Sequence, residues 1–519
     1  LEYDRSWRWR DEDMRQDLLG VFPIDRWKAF TDSEIQVIIN RLTEDFKGRV
    51  SEIDEILGFI ARPQGGPLMI WGGPGIGKSA LLARAIQALA WSPQERANEN
   101  LNKAAGVERF KVVRYFIRRS GQTNDANMML DHLNEELEKF TKNKFASGTN
   151  LQEKAANLRE RLRSASQKLT ENERLVVFVD GLDEGTDETS LLEALPLEVP
   201  DRVALIYSSR EIPDVRNRIW AKLDRERRSE LTVHPLGRGE VRAMLYDFVN
   251  KYRMTEAYLE QVVLMSQGNP LYLKLLCQGL ELGAYRLNDL CDLPDGFKDL
   301  YKDMIFRFGK KHYLVLEYLC LLAVVKDFLP NEVAADMMGA SLQEIEGVVE
   351  VCRECLYDQS GTEEVVDYQL FHESMREFLL KQKPGECEKW KRKLADWCED
   401  WKNREKTELS RDYAVKYRIE HQWEWSKELR PIREKEAESS ELLIIRAVEE
   451  ENFRHELFLR CGHAHTLRVG LFRAQSLLLK GRDQATRQGN QNRVLRMARI
   501  YQEEPYFLLG QIIKELELA

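Results

Sequence analysis

The segment Gly72-Gly73-Pro74-Gly75-Ile76-Gly77-Lys78-Ser79 fits the pattern G-x-x-x-x-G-K-[ST] without exception. Glycines at these spacings let backbone N–H groups turn inward around phosphate oxygens. A helix starting at the end of such a loop adds the positive end of its dipole. Lys78 is expected to reach the β- and γ-phosphates of a nucleoside triphosphate, and the Ser79 hydroxyl to ligate Mg²⁺. A glycine-rich turn could match by chance. Here the apolar strand Leu68–Trp71 precedes the loop and the helical run Ala80–Leu89 follows it, which is the context a phosphate loop needs.

The second half of such a site is an acid at the end of a buried parallel strand, and Leu175–Asp180 supplies one. Asp180 would hold the Mg²⁺ shell. Asp183 and Glu184 follow just beyond, where a carboxylate can orient or deprotonate a water in line with the γ-phosphate. Both fit the spacing, so the sequence does not choose between them. One acid after a strand is commonplace because acids also cap helices; three in this spacing downstream of a phosphate loop are not. The next strand ends Ser208-Ser209-Arg210, and an arginine at that edge can sense the γ-phosphate. A solvated surface arginine is the alternative.

These residues need a scaffold. From Phe46 onward short β-branched runs alternate with long amphipathic stretches, the mark of a parallel sheet covered by helices. The expected strands are Leu68–Trp71, Lys111–Phe116, Leu175–Asp180, Val203–Ser208 and Glu230–Val233. After Pro235 helical periodicity dominates, with one interruption near Glu364–Tyr368 that reads as a small β-wing. Residues 1–44 are polar and tryptophan-studded (Trp7, Trp9, Trp27), with a helical pattern near Glu34–Leu42. No internal repeat is evident.

At 519 residues the chain is long enough for three or four domains. With 43% hydrophobic and 32% charged residues it reads as a helix-rich globular protein, and its net charge of −9 gives no overall attraction to nucleic acid or anionic membrane. The longest apolar run, Tyr313–Val325, is interrupted by Glu317 and is too short to span a bilayer. No leader pattern is present. The eight cysteines are scattered and read as free thiols of a reducing, cytoplasmic compartment. Because the sequence starts at Leu1, it is read as a fragment of a longer polypeptide or a processed one.

The motif Asp180-Gly181-Leu182-Asp183-Glu184 resembles the double-acid box of NACHT-type STAND NTPases. Further landmarks fall in that family's order. Phe46–Glu52 resembles the motif that packs near adenine, with Arg49 as its arginine, although Val50 replaces the usual acid. Tyr115-Phe116 resembles the second strand and Ser208-Ser209-Arg210 the sensor motif. Gly268-Asn269-Pro270-Leu271 resembles the Gly-x-Pro motif whose proline borders the nucleotide. Residues 293–301 resemble the start of a winged-helix domain. Phe371–Leu379 resembles the segment whose histidine, here His372, reads the ADP β-phosphate in resting members. Tyr413–Tyr417 with His421 resembles the helical region that precedes WD-repeat sensors in many members.

The resemblance covers residues 44–425 well. It implies a linker (1–44), an α/β P-loop domain with helices on both faces of a parallel sheet (45–235), a first helical domain (236–292), a winged-helix domain (293–384) and a C-terminal helical domain (385–519). It also implies an ATP- and ADP-gated signalling switch with Mg²⁺ as cofactor and slow hydrolysis as a timer. Such a switch assembles with copies of itself when ATP-bound and serves defence or regulated cell death. The sensor and effector are expected outside this chain.

Several residue groups have plainer readings. His372 lies in a helical, largely apolar stretch where a histidine is usually structural. Cys352-Arg353-Glu354-Cys355 sits on a helix with the stripe Ile345, Val348, Val349 and Cys352, and reads as core. Cys461-Gly462-His463-Ala464-His465 lacks a fourth metal ligand. The arginine-rich run from Arg468 to Arg499 reads as a solvated helix face. The main competing function is a DNA-handling ATPase that reads through its winged helix. A recognition helix must offer Lys or Arg to phosphates, whereas Leu342–Cys355 is expected to expose Glu344, Glu346, Glu350 and Glu354.

Overall fold

A computed structural model describes residues 32–44, 46–101, 107, 109–118, 126–142, 151–185, 188–221, 229–281, 296–359, 367–403, 407–461, 470, 473–474 and 477. They fall into two compact units that divide between Arg307 and Phe308. The first unit is built on five parallel strands: β1 (Gly66–Trp71), β2 (Arg109–Phe116), β3 (Glu173–Asp180), β4 (Val203–Ser209) and β5 (Ser229–Thr232), in the order β2-β3-β4-β1-β5. Each expected strand is present, and three of them start two residues earlier than the β-branched runs suggest.

The central strands are apolar on both sides because both sides are covered. Ile70, Val176, Phe178 and Ile206 pack on one face with the helices Val50–Ile60 and Lys78–Ala90. Trp71, Val177, Val179 and Tyr207 pack on the other with the helices Ala126–Thr141 and Leu151–Lys168. Each such side chain contributes roughly 1.5–3 kcal/mol on leaving water. Beyond β5 the first unit is helical: Arg238–Met244, Tyr246–Tyr252, Glu256–Ser266 and Pro270–Glu281, with a further helix starting at Gly296. This is the α/β P-loop fold followed by helical segments that the sequence implied.

In the second unit, Val315–Val324 is a buried ten-residue helix. Among the described residues no helix is long and apolar enough to cross a membrane. Strands β6 (Leu329–Pro330), β7 (Leu356–Gln359) and β8 (Asp367–Leu370) form an antiparallel sheet in the order β6-β8-β7 around the helices Asn331–Met338 and Leu342–Cys352. The hairpin lies where the β-wing was expected.

One expectation is corrected here. The α-helix stops at Cys352, and a 3-10 turn carries Glu354 into the interior, where it is buried. Glu344 is also engaged, in a capping box with Ser341 and in a 3.0 Å bond from the Tyr313 hydroxyl. The outward acids of this helix are therefore Glu346 and Glu350. Cys352 and Cys355 are buried, as expected of core residues. Of the candidate metal segment Cys461–His465, only the backbone of Cys461 is among the described residues, at the end of a helix, and most of the 468–499 run also lies outside them. Its described member Arg473 is not solvated: it pairs with Glu420 at 2.6 Å.

The helices Pro384–Glu399, Glu408–Leu429, Glu434–Glu449 and Glu451–Cys461 follow in this unit. His421 is buried among them, with Nε2 3.0 Å from the Tyr413 hydroxyl, which itself accepts the Lys326 N–H. Burial, helped by the Lys326 charge, pushes the His421 pKa down to about 4. The unfolded chain therefore binds a proton near pH 6.5 that the folded unit refuses until about pH 4. Stability is fully present above 6.5 and is lost as pH falls through that window, by about 3 kcal/mol. Denaturant unfolding of this unit at pH 7 and pH 4.5 should show the loss, and His421→Gln should flatten it. A wild-type profile with no slope between those values would refute the assignment.

Candidate nucleotide site

Strand β1 delivers the chain at Trp71 to the edge of the sheet, and the loop Gly72–Gly77 turns back into the helix Lys78–Ala90. Two glycines make the turn possible. Gly75 (φ 69°) and Gly77 (φ 95°) are left-handed, a region that side-chain-bearing residues avoid. Lys78 curls over the loop and donates to the carbonyls of Gly72 (2.9 Å) and Gly73 (3.1 Å). Burial lowers the pKa of its ammonium, opposed by the charges of Asp183, Asp180 and Glu184.

The carbonyls of the next three residues are held from outside the loop. The Asn269 amide donates to Pro74 O (3.2 Å), the Leu271 N–H to Gly75 O (3.3 Å), and the Arg49 guanidinium to Ile76 O (3.4 Å). In a trans peptide the N–H points opposite to the C=O. Holding these carbonyls therefore directs the N–H groups of Gly75, Ile76 and Gly77 away from those partners, as a phosphate cradle requires. Pro270 sits against Gly77, and Leu271 and Phe297 close on Gly75 so tightly that a β-carbon there would meet both at 3.0 Å. Gly268 (φ 68°) admits only glycine, because a β-carbon would lie 2.3 Å from the Leu236 carbonyl.

The acids stand at the end of β3. Asp180 is buried and accepts a hydrogen bond from Ser208, whose oxygen in turn accepts the Gly181 N–H at 3.0 Å. Burial raises the Asp180 pKa, opposed by hydrogen bonds from Ser208 and Ser79 and by the Lys78 charge. Gly181 (φ 80°) then starts a 3-10 turn, Leu182–Glu184, that splits the next two acids. Asp183 is buried with both oxygens committed to Arg210, one to its N–H (2.9 Å) and one to its Nε (3.0 Å). Glu184 is half-buried. Ser79 and Asp180 together offer hydroxyl and carboxylate oxygens of the kind Mg²⁺ prefers, so the residues present fit that ion.

Residues 45–206 match the AAA ATPase domain family. This segment is a P-loop ATPase domain. The chain is also similar to a signal transduction ATPase with numerous domains (STAND) from Pyrococcus horikoshii that carries a tetratricopeptide repeat sensor, at 14% identity and a TM-score of 0.42. That likeness covers 90% of this chain, which spans 65% of the length of the archaeal protein. A Walker-type ATPase of Pyrococcus abyssi is similar at 12% identity and a TM-score of 0.33, over 65% of this chain and 96% of that one. The ORC1 protein of Aeropyrum pernix, solved in complex with DNA, is similar at 14% identity and a TM-score of 0.32, over 69% and 96%. No curated protein matches the sequence.

The ATPase domain thus gathers Gly72–Ala80, Asp180, Asp183, Glu184 and Arg210 at one edge of its sheet, with Arg49 and Pro270 brought against the loop. Arg49 arrives strained. Its φ of 60° costs a non-glycine residue on the order of 1 kcal/mol. His372 belongs to the second unit and corrects an expectation: it is not inside a helix. It caps the helix Glu373–Gln382, with Nδ1 accepting the Ser374 N–H at 3.0 Å.

Two residues of the ATPase domain had no role assigned from sequence. Ser208 fixes the Asp180 carboxylate. Arg118 follows β2, where the Ile117 N–H bonds the Asp180 carbonyl at 2.9 Å. Burial lowers the Arg118 pKa, opposed by the charges of Glu184 and then Asp180. Arginines from the strands on either side, Arg118 after β2 and Arg210 after β4, thus flank the acids of β3.

Proposed function

We infer that the chain is an ATP- and ADP-gated switch of the STAND class, NACHT type, whose ATPase domain hydrolyses slowly and whose ATP-bound form assembles with copies of itself. The observation that carries this reading is the grip on the phosphate loop from outside. Asn269 and Leu271 of the helical segment hold the Pro74 and Gly75 carbonyls. Phosphates that pull on the cradle therefore pull on that segment, and its position biases which nucleotide fits. A site built only for turnover has no need of this linkage. Moving such a switch from 1:99 to 99:1 requires a nucleotide preference of roughly 10⁴-fold between the two forms.

In this reading Asp180 and Ser79 hold Mg²⁺, which when bound neutralises phosphate charge. Arg210 reads the γ-phosphate from its fixed seat on Asp183. Glu184 orients the attacking water. The resemblance assigns His372 to ADP recognition and residues 293–384 to a winged helix, which the two helices and hairpin of the second unit support. Roles in defence or regulated cell death follow from the resemblance alone. The competing DNA-reading function is disfavoured by Glu346 and Glu350, which face outward on Leu342–Cys352.

The deciding experiment is to extract and identify nucleotide from the purified chain and weigh the protein with and without ATP and Mg²⁺. Retained ADP and ATP-dependent assembly are expected. Fast steady turnover by a monomer, or tight salt-sensitive DNA binding, would sink the proposal.

A further inference from the structure

We propose that Glu240, which lies outside the nucleotide-binding sheet, sets nucleotide affinity by holding the Gly48–Arg49 turn against the phosphate loop. The inference rests on the reading that this loop binds a nucleotide. Gly48 (φ 78°) and Arg49 (φ 60°) are consecutive left-handed residues, and only the first is a glycine. A non-glycine residue keeps that conformation where its surroundings enforce it. Here the enforcing group is the Glu240 carboxylate. Its Oε1 accepts the Arg49 N–H at 3.4 Å and lies where a β-carbon on Gly48 would meet it at 3.2 Å.

The other oxygen, Oε2, accepts the Gly237 N–H at 2.9 Å and caps the start of Glu240's own helix. A capping glutamate needs one oxygen for that task. The second reaches across 191 residues of sequence to the turn.

The turn matters because of what Arg49 does next. Its guanidinium is buried, pairs with Glu52 at 2.8 Å and donates to Ile76 O at 3.4 Å. That contact aims the Gly77 N–H, the last amide before Lys78. Glu240, Arg49 and Ile76 therefore form a relay from the helical segment into the cradle, separate from the contacts of Asn269 and Leu271. Glu240 is a positioning residue: it acts on phosphate only through Arg49.

The test is ADP binding by titration calorimetry on the full chain. Glu240→Ala should weaken ADP about tenfold, while Glu240→Gln, whose amide oxygen can still accept the N–H, should stay within about threefold. In an Arg49→Ala background, Glu240→Ala should add less than about twofold, because the relay is already cut. Gly48→Ala provides a route that leaves the helix cap intact, should Glu240→Ala fail to fold. It crowds Oε1 and should weaken ADP about fivefold or more. Wild-type ADP affinity in Gly48→Ala, or in a folded Glu240→Ala, would overturn the proposal. Full additivity with Arg49→Ala would also overturn it, since a helix cap acting through stability alone gives that result. If the unaltered chain bound neither ADP nor ATP, the nucleotide reading itself would fall. If it binds and Lys78→Ala does not, while the Glu240 and Gly48 variants bind normally, only this proposal falls.

Discussion

Lys78→Ala should abolish measurable nucleotide binding, with at least about a 100-fold loss of ATP and ADP affinity, roughly 3 kcal/mol or more. The ammonium serves two roles at once. It holds the Gly72 and Gly73 carbonyls at 2.9 and 3.1 Å, which directs the following peptide groups. Its charge also couples to those of Asp183, Asp180 and Glu184. Removing it takes a positive charge away from these three carboxylates, so an incoming triphosphate meets stronger repulsion in a site of low dielectric. The fold should survive, since Lys78 stands at a helix start and outside the apolar clusters. Calorimetric titration with ADP, alongside a thermal melt, checks both halves. A Kd within threefold of wild type would remove Lys78 from the site.

The second large effect separates two neighbouring acids. Glu184→Gln should lower kcat for ATP hydrolysis by about 10²–10³ while leaving ATP affinity nearly unchanged, because the amide keeps the shape but cannot take a proton. Asp183→Asn should behave differently. Both Asp183 oxygens hold Arg210, so neutralising the carboxylate releases the arginine. The expected outcome is weaker ATP binding relative to ADP and a fold less stable by about 1–3 kcal/mol. Single-turnover hydrolysis and separate ATP and ADP affinities distinguish the cases. If Asp183→Asn lost hydrolysis alone and Glu184→Gln lost binding, the two roles would be exchanged.

Which of the two acids seats Arg210 was not legible in the sequence. Asp183 and Glu184 are adjacent, and spacing from Asp180 admits either. What the structure adds, after the left-handed Gly181 and the 3-10 turn, is that Asp183 holds Arg210 with both oxygens. The sheet was legible because its strands are buried on both faces and read as unbroken apolar runs such as Leu175–Val179. Leu329–Pro330 was not, since two residues with one proline carry no periodicity.

Arg118 was hidden among Arg114, Arg118 and Arg119. Only the register that pairs Phe116 with Asp180 places it beside the acids. A scan for charged residues one or two places past each strand end would have found it. Glu240 had no local signal, because its partner lies 191 residues away. The histidine misplacement has a simple cause: His372 is an uncommon helix cap, so an apolar neighbourhood suggested a helix interior.

The strand order has a consequence for how the molecule is made. Strand β1 pairs with β4 and β5, which lie some 140 to 160 residues further along the chain. At about 5–20 residues per second, a nascent chain holds β1 without either partner for roughly 10–30 s. During that time Leu68, Met69, Ile70 and Trp71, all buried in the finished sheet, have nowhere to hide. The strand that presents the nucleotide loop is thus among the earliest synthesised and the latest enclosed. Its exposed apolar edge makes the growing chain a natural client for chaperones, and a truncation before Val203 would leave that edge open for good.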